Sequence, residues 1–358
     1  MAKNTTTKRR LPAEWEAQDA VLLAWPHAAT DWMPILREVD ELFVQITRAA
    51  LRRAAVIIVT PEPERVRKKL AGLKRATFPL ILVQAATNDT WTRDYGPITV
   101  ETARGPLLLD FGFNGWGLKF ASDFDNRVTR KLKNANVFGR TPLRSPHLVL
   151  EGGSIESDGR GTILTTSACL LSPNRNPGLS RAQIETQLLR LFGASRVLWL
   201  DHGHMEGDDT DAHIDTLARL APDDTIVYVA CDDRKDPHHA DLKAMENELK
   251  AFRTAAGKPY RLLPLPWPRA KFDDDGNRLP ATYANFLVLN GAVLAPTYRD
   301  PADAAALKVI GRAFPKHEIV GIDCTPLIWQ HGSLHCVTMQ IPRGVLGAEP
   351  ANPASTAP

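Results

Sequence analysis

Residues 153–201, GSIESDGRGTILTTSACLLSPNRNPGLSRAQIETQLLRLFGASRVLWLD, decide how this chain folds. A short strand comes first, then the tight turn DGRG, then an apolar strand. A loop rich in Pro and Asn follows. Next comes a run with apolar residues at helical spacing, and the stretch closes on the strand RVLWLD. The order strand–strand–helix begins again at His213 (HIDTLARLAPDDTIVYVACDDRKDPHHADLKAMENELKAF). It begins once more at Asn285 (NFLVLNGAVLAPTYRDPADAAALKVIGRAFPKHEIVGID), where the closing strand is HEIVGID. A fainter copy starts at AVLLAWP (Ala20), with the helix ILREVDELFVQITRAALRR and the strand AVIIVT. A further strand pair lies in GPITVETARGPLLLDF. Five units of about seventy residues account for the chain, and repeated units of this kind close into a ring. The fold class is therefore α/β, a five-bladed propeller of strand–strand–helix–strand units. A plain α/β sheet with irregular insertions is the alternative.

Composition permits this. Of 358 residues 44% are hydrophobic and 24% charged, which supports a sizeable core. We expect one domain over residues 11–346, between tails 1–10 and 347–358 that are polar or rich in Pro and Ala and read as disordered. Net charge is +3, with Lys and Arg dispersed, so no basic stripe suits nucleic acid. No run reaches eighteen apolar residues and no apolar segment follows the first charges. The cysteines Cys169, Cys231, Cys324 and Cys336 show no C-x-x-C spacing, which speaks against a redox or zinc motif and for a reducing compartment. The expectation is a soluble cytoplasmic protein that binds neither membrane nor nucleic acid. Its oligomeric state is left open, with a homodimer allowed.

Four stretches carry chemistry, all at strand ends or in the loops beyond them. NDTWTRDYGPITV presents Asp94 beside Trp91. LVLEGGSIESDG ends an apolar run on Glu151, a costly place for an unpaired charge, and its two glycines permit close approach. In DHGHMEGDDTDAHIDTLARL, strand alternation would put His213 and Asp215 on one face. In WQHGSLHCVTMQIP, the same alternation would turn His335 away from Cys336, so a base for the thiol must come from elsewhere; His213 is the candidate. One thiol, one His and three carboxylates suit attack on a guanidinium. Carboxylates accept its paired N–H groups, a thiolate attacks its carbon, and a His moves protons. A cysteine peptidase would need donors for an oxyanion there instead. Two other readings are a metal-dependent hydrolase using the His- and Asp-rich loop and a polyamine-binding protein without catalysis.

WTRDYGP, EGGSIESDGRGTIL, GDDTDAHIDTLARL, PTYRDPADAAAL and GSLHCVTMQIP, in this order, resemble the agmatine deiminases, which group with bacterial peptidylarginine deiminases among the guanidino-group-modifying enzymes. The resemblance spans nearly the whole chain. It implies the five-bladed pentein propeller and hydrolytic deimination of a small cationic guanidine without metal or organic cofactor. Peptidyl or free arginine is the alternative substrate. Carried over by motif, Cys336 is the nucleophile, His213 the acid and base, Asp94 and Asp215 the guanidinium clamps, and Glu151 an orienting carboxylate. Trp91 and Trp116 (FNGWG) would wall the aliphatic part of the substrate. Relatives carry glycines and an Asn where this chain has His331 and Ser333. The acidic loop with Glu206, Asp208, Asp209 and Asp211 is expected to receive the far amine of agmatine.

Overall fold

The computed structural model describes residues 9–73 and 76–346. Apart from Arg9 and Arg10, the two expected tails lie outside the described residues. Arg10 belongs to the folded body. Its backbone N–H donates to Glu101 O at 3.0 Å, and its guanidinium pairs with Glu16 and Glu101.

Among the described residues the strands form five sheets of one plan and a two-stranded hairpin. In the unit quoted first, Ile155–Ser157 runs antiparallel to Thr162–Thr166, the helix Arg181–Phe192 crosses over, and Arg196–Leu200 pairs parallel to the second strand. A parallel partner requires such a crossover, because the chain must first return to the same end of the sheet. Ser180 and Gln183 cap the helix reciprocally, and Gly193 ends it at φ 64°. The plan recurs in Ala218–Ala221, Thr225–Val229 and Arg261–Leu265. It recurs again in Leu287–Leu289, Ala292–Thr297 and Glu318–Asp323, and in Ile98–Thr102, Gly105–Leu109 and Leu143–Arg144. Left-handed residues set the hairpins: Asp223 and Asp224 lie at φ 57° and 52°, Asn290 and Gly291 at φ 35° and 79°. Two successive positive φ values match the strand twist, and Asp, Asn and Gly tolerate them.

The last unit closes the propeller. Met339–Pro342 pairs antiparallel with Gln18–Ala24, which lies parallel to Ala55–Thr60, itself parallel to Leu80–Gln84. Strand pairing therefore fastens the two ends of the ring. Ala55–Thr60 (AVIIVT) is buried at every residue, as a strand covered on both faces should be.

Two local expectations are corrected. HID is not a strand: His213 precedes the helical turn Ile214–Leu217, and the strand begins at Ala218. Nor is Cys336 on a strand, since pairing begins only at Met339. Both segments belong to one recurring feature. In every unit the residues just before the first strand of the antiparallel pair turn toward the centre of the ring. They are Thr92–Tyr95, Gly152–Ser154, Ile214–Leu217, and the segments around Asn285 and Cys336. Their side chains meet there.

Candidate active site

Asp94 sits on the turn Thr92–Tyr95. Its Oδ2 accepts the Trp116 indole N–H at 2.9 Å, and its Oδ1 accepts the backbone N–H of Gly153 at 3.0 Å. His213 Nδ1 is 3.6 Å from the same Oδ1. Asp215 Oδ2 accepts from His335 Nδ1 at 2.7 Å and lies 3.9 Å from the Cys336 sulfur. A methyl placed on Gly153 would stand 2.6 Å from His213 Nδ1, 2.8 Å from Asp94 Oδ1 and 3.1 Å from Asp215 Oδ2. Three groups from two units thus converge above the backbone of a third, which has no side chain of its own there. We expect Gly153→Ala to push them apart by a fraction of an ångström or more and to lower turnover by about 10²-fold, the usual cost of such misplacement. A variant with unchanged kcat/KM would mean the convergence is unimportant.

Asp215 Oδ1 and both ring nitrogens of His213 are buried without hydrogen-bond partners among the described residues. Each such group costs about 1–3 kcal/mol, which a bound donor or acceptor removes. Burial pushes the Asp94 carboxyl well above the usual range, and the charges of Asp215 and Glu151 add to this. Burial also opposes ionisation of Asp215, but the hydrogen bond from His335 and the nearby positive groups, Arg219 among them, together outweigh it and hold that carboxyl low. Burial pushes His213 down to about 3, so its ring is neutral. The Cys336 thiol is pushed well up by burial, then by Asp215 and Asp94. A flat cation placed among these groups would favour the anionic forms of Asp94, Asp215 and Cys336 and keep the unliganded His213 ring neutral.

Glu151 is fully buried, and Arg175 Nε donates to its two oxygens at 2.9 and 3.0 Å. One of its oxygens, the Cys169 sulfur and a His213 ring nitrogen lie within 4.8 Å of one another. Arg175, from the unremarked loop after Cys169, also reaches Asp211, whose other oxygen takes Lys119 at 2.7 Å. Asp211 is therefore occupied by cations and does not line the cleft that leads to Cys336.

That cleft holds about 130 Å³. Cys336 and Asp94 lie in it, and Trp91, Trp116 and Phe120 form its walls. Asp31, Asp89, Asp208 and Asp209 give it acidic groups, and none of its lining residues is Lys or Arg. Of the acidic loop, Asp208 lines this cleft, with its oxygens accepting from Thr210 and the Ala212 N–H. Glu206 does not fit: it is exposed and lines a different pocket, beside Trp267. Asp31, Asp89 and Phe120 carry no mark in the sequence that ties them to Cys336. Gly332 is needed because a Cβ there would meet the Trp91 ring at 2.3 Å. His331 adopts φ 66°, and its Nδ1 donates to Gly207 O at 2.7 Å, tying the cysteine loop to the acidic loop. Ser333 is buried against the Tyr298 hydroxyl at 2.8 Å.

Three loop histidines each pair with a carboxylate. His202 pairs with Glu248, His204 with Asp241 and His238 with Asp236, each apart from His213. Among the described residues two groups come close enough for shared ligation, Glu151–Cys169–His213 and Glu14–Glu156–His335. Guanidinium groups already contact both, Arg175 in the first and Arg219 in the second.

A ring of five such sheets, with a cysteine, a histidine and paired carboxylates at its centre, defines the class of enzymes that modify guanidino groups. The chain belongs to the Porphyromonas-type peptidyl-arginine deiminase family, whose model matches residues 10–342. It is 32% identical to an agmatine deiminase of Pseudomonas aeruginosa, covering 96% of this chain and 99% of that one. A Porphyromonas gingivalis structure provisionally named an arginine deiminase is 50% identical, with a TM-score of 0.89, covering 95% of this chain and 100% of that one. A Campylobacter jejuni agmatine deiminase with a cysteine-to-serine substitution and substrate bound is 36% identical, with a TM-score of 0.88, covering 94% and 97%.

Proposed function

We propose that this protein hydrolyses agmatine to N-carbamoylputrescine and ammonia. The observation that carries the reading is the convergence of Asp94, His213 and Asp215 over Gly153, reached through an acidic, aromatic cleft that ends at Cys336. The guanidinium enters between Asp94 and Asp215, whose free lone pairs accept its N–H groups. Its charge offsets the repulsion that keeps the Cys336 thiol protonated, so the proton passes from sulfur to His213 as Sγ bonds to the guanidinium carbon. His213 returns that proton to one nitrogen, the C–N bond breaks, and ammonia leaves. An S-linked amidino group remains. Water then attacks the same carbon, giving one proton to His213; as the C–S bond breaks and the ureido product forms, the second water proton returns to sulfur, and His213 releases its proton to solvent, where ammonia takes it up. Glu151, fixed by Arg175 within 4.8 Å of a His213 ring nitrogen, is placed to stabilise the ring when it carries the proton.

The acidic lining supports agmatine over arginine. A second ammonium is attracted there, whereas a carboxylate would meet Asp31, Asp89, Asp208 and Asp209 with no Lys or Arg among the lining residues. The family's name and the 50% identical relative favour the second reading, an arginyl substrate. Ureido formation from agmatine, free arginine and peptides ending in arginine separates the two. Agmatine should have the highest kcat/KM. Asp31→Asn with Asp209→Asn should raise the agmatine KM several-fold, about 0.2–1 kcal/mol for each exposed charge, and leave kcat alone. A faster reaction with peptidyl arginine would overturn the agmatine reading.

A further inference from the structure

We propose that Asn285 is a catalytic residue that holds and stabilises the Cys336 thiolate; this rests on Cys336 as the nucleophile. Four of the five units send a titratable or nucleophilic group inward from just before their first strand: Asp94, Glu151, the His213–Asp215 pair and Cys336. In the remaining unit the same place, just before Leu287–Leu289, is held by Asn285. It is fully buried.

Its orientation is fixed by its partners. The backbone N–H groups of His335 and Cys336 donate to Asn285 Oδ1 at 2.9 and 3.2 Å. Two donors on one side of the amide require the oxygen there, so the amino group must face the other way. Nδ2 lies 3.2 Å from the Cys336 sulfur and Oδ1 3.4 Å from it, so the thiol can donate to the oxygen whereas the thiolate accepts from the amino group. The second contact of Nδ2 is Asp215 O at 3.4 Å. One amide thereby pins the backbone of the nucleophile and donates to its sulfur.

The surroundings make such a donor necessary. The carboxylate Oδ2 of Asp215 lies 3.9 Å from Sγ, and Asp94 lines the same cleft, so both oppose a negative sulfur. A hydrogen bond to the charged form favours that form. The amide donates to sulfur without adding charge to a pocket that must also receive a cation. A Lys or Arg in its place would repel the substrate.

The test is Asn285→Asp, which keeps an oxygen for the two backbone N–H groups and exchanges the donor to sulfur for a like charge. Alkylation of Cys336 by iodoacetamide, followed by peptide mass spectrometry from pH 6 to 10, should need at least one pH unit more to reach the same rate. Agmatine kcat should fall by 10²-fold or more, with KM within threefold. Asn285→Ala should show the same shift with a lower melting temperature, since it also strands the Cys336 N–H and leaves the His335 N–H with only the Asn285 carbonyl. If one variant does not fold, the other carries the comparison. A lower melting temperature with an unshifted alkylation profile would mean that Asn285 only supports the backbone, and would overturn the inference. Full activity in Cys336→Ala would instead overturn the nucleophile assignment, whatever Asn285 does.

Discussion

Cys336→Ala should release no detectable ammonia from agmatine and yet should still bind it. Removing the nucleophile of a covalent mechanism commonly costs on the order of 10⁴–10⁶-fold in turnover. The binding groups are separate from the sulfur: Asp94 is held by Trp116 and Gly153, and Asp215 by His335, and none of these contacts involves Cys336 Sγ. The cavity left by one sulfur is small, so the variant should fold. Thermal unfolding with and without agmatine shows whether binding survives, and ammonia release measures turnover. Residual turnover above about 1% of the unmodified protein would exclude a thiol mechanism.

Much of this site is legible in the sequence because its residues are chemically conspicuous. Glu151 ends a run of apolar residues, Cys336 and Asp94 flank glycine turns, and His213 sits among acids. The repeat is legible because Asp-Asp and Asn-Gly turns announce hairpins. The closing strand Arg261–Leu265 does not read as one, because Pro264 interrupts it; at the edge of its sheet the missing N–H costs nothing. The HID segment reads as a strand because an apolar residue separates two polar ones. The structure makes it a helical turn that still brings His213 and Asp215 to one place. Neighbours in a loop do not share a direction, and this defeats the reading of Glu206 and Asp211. Asp211 and Ala212 lie at φ 64° and 65°, so the chain reverses there and carries Asp211 to Arg175 and Lys119 rather than to the cleft. Arg175 and Asn285 escape notice for another reason. Their roles exist only through distant partners, Glu151 in one case and the cysteine loop in the other.

The remaining large effect separates binding from folding. In a Cys336→Ala background, agmatine should raise the melting temperature, and adding Asp94→Asn or Asp215→Asn should erase that rise. Without Cys336→Ala, each Asn variant should lose about 10³-fold in kcat/KM, corresponding to 3–5 kcal/mol for one partner of a buried ion pair. The cost to the empty fold should be much smaller for Asp94. Its carboxyl titrates well above its unfolded value, because burial and the charges of Asp215 and Glu151 disfavour the anion. A folded state that binds the proton more tightly than the unfolded state loses stability as pH rises between the two pKa values. At neutral pH the ligand-free protein therefore bears the cost of holding Asp94 in readiness, and asparagine removes it. Against this, asparagine has one acceptor oxygen for two donors, the Trp116 indole and the Gly153 N–H, and leaves one poorly paired. The two effects oppose, so the empty variant should melt within a few degrees of its parent. Asp215 differs: its carboxyl is held low by His335, so replacing it removes a favourable contact and should lower the melting temperature. If Asp94→Asn melts far lower and still shifts upward with agmatine, Asp94 is a structural residue and the guanidinium is held elsewhere.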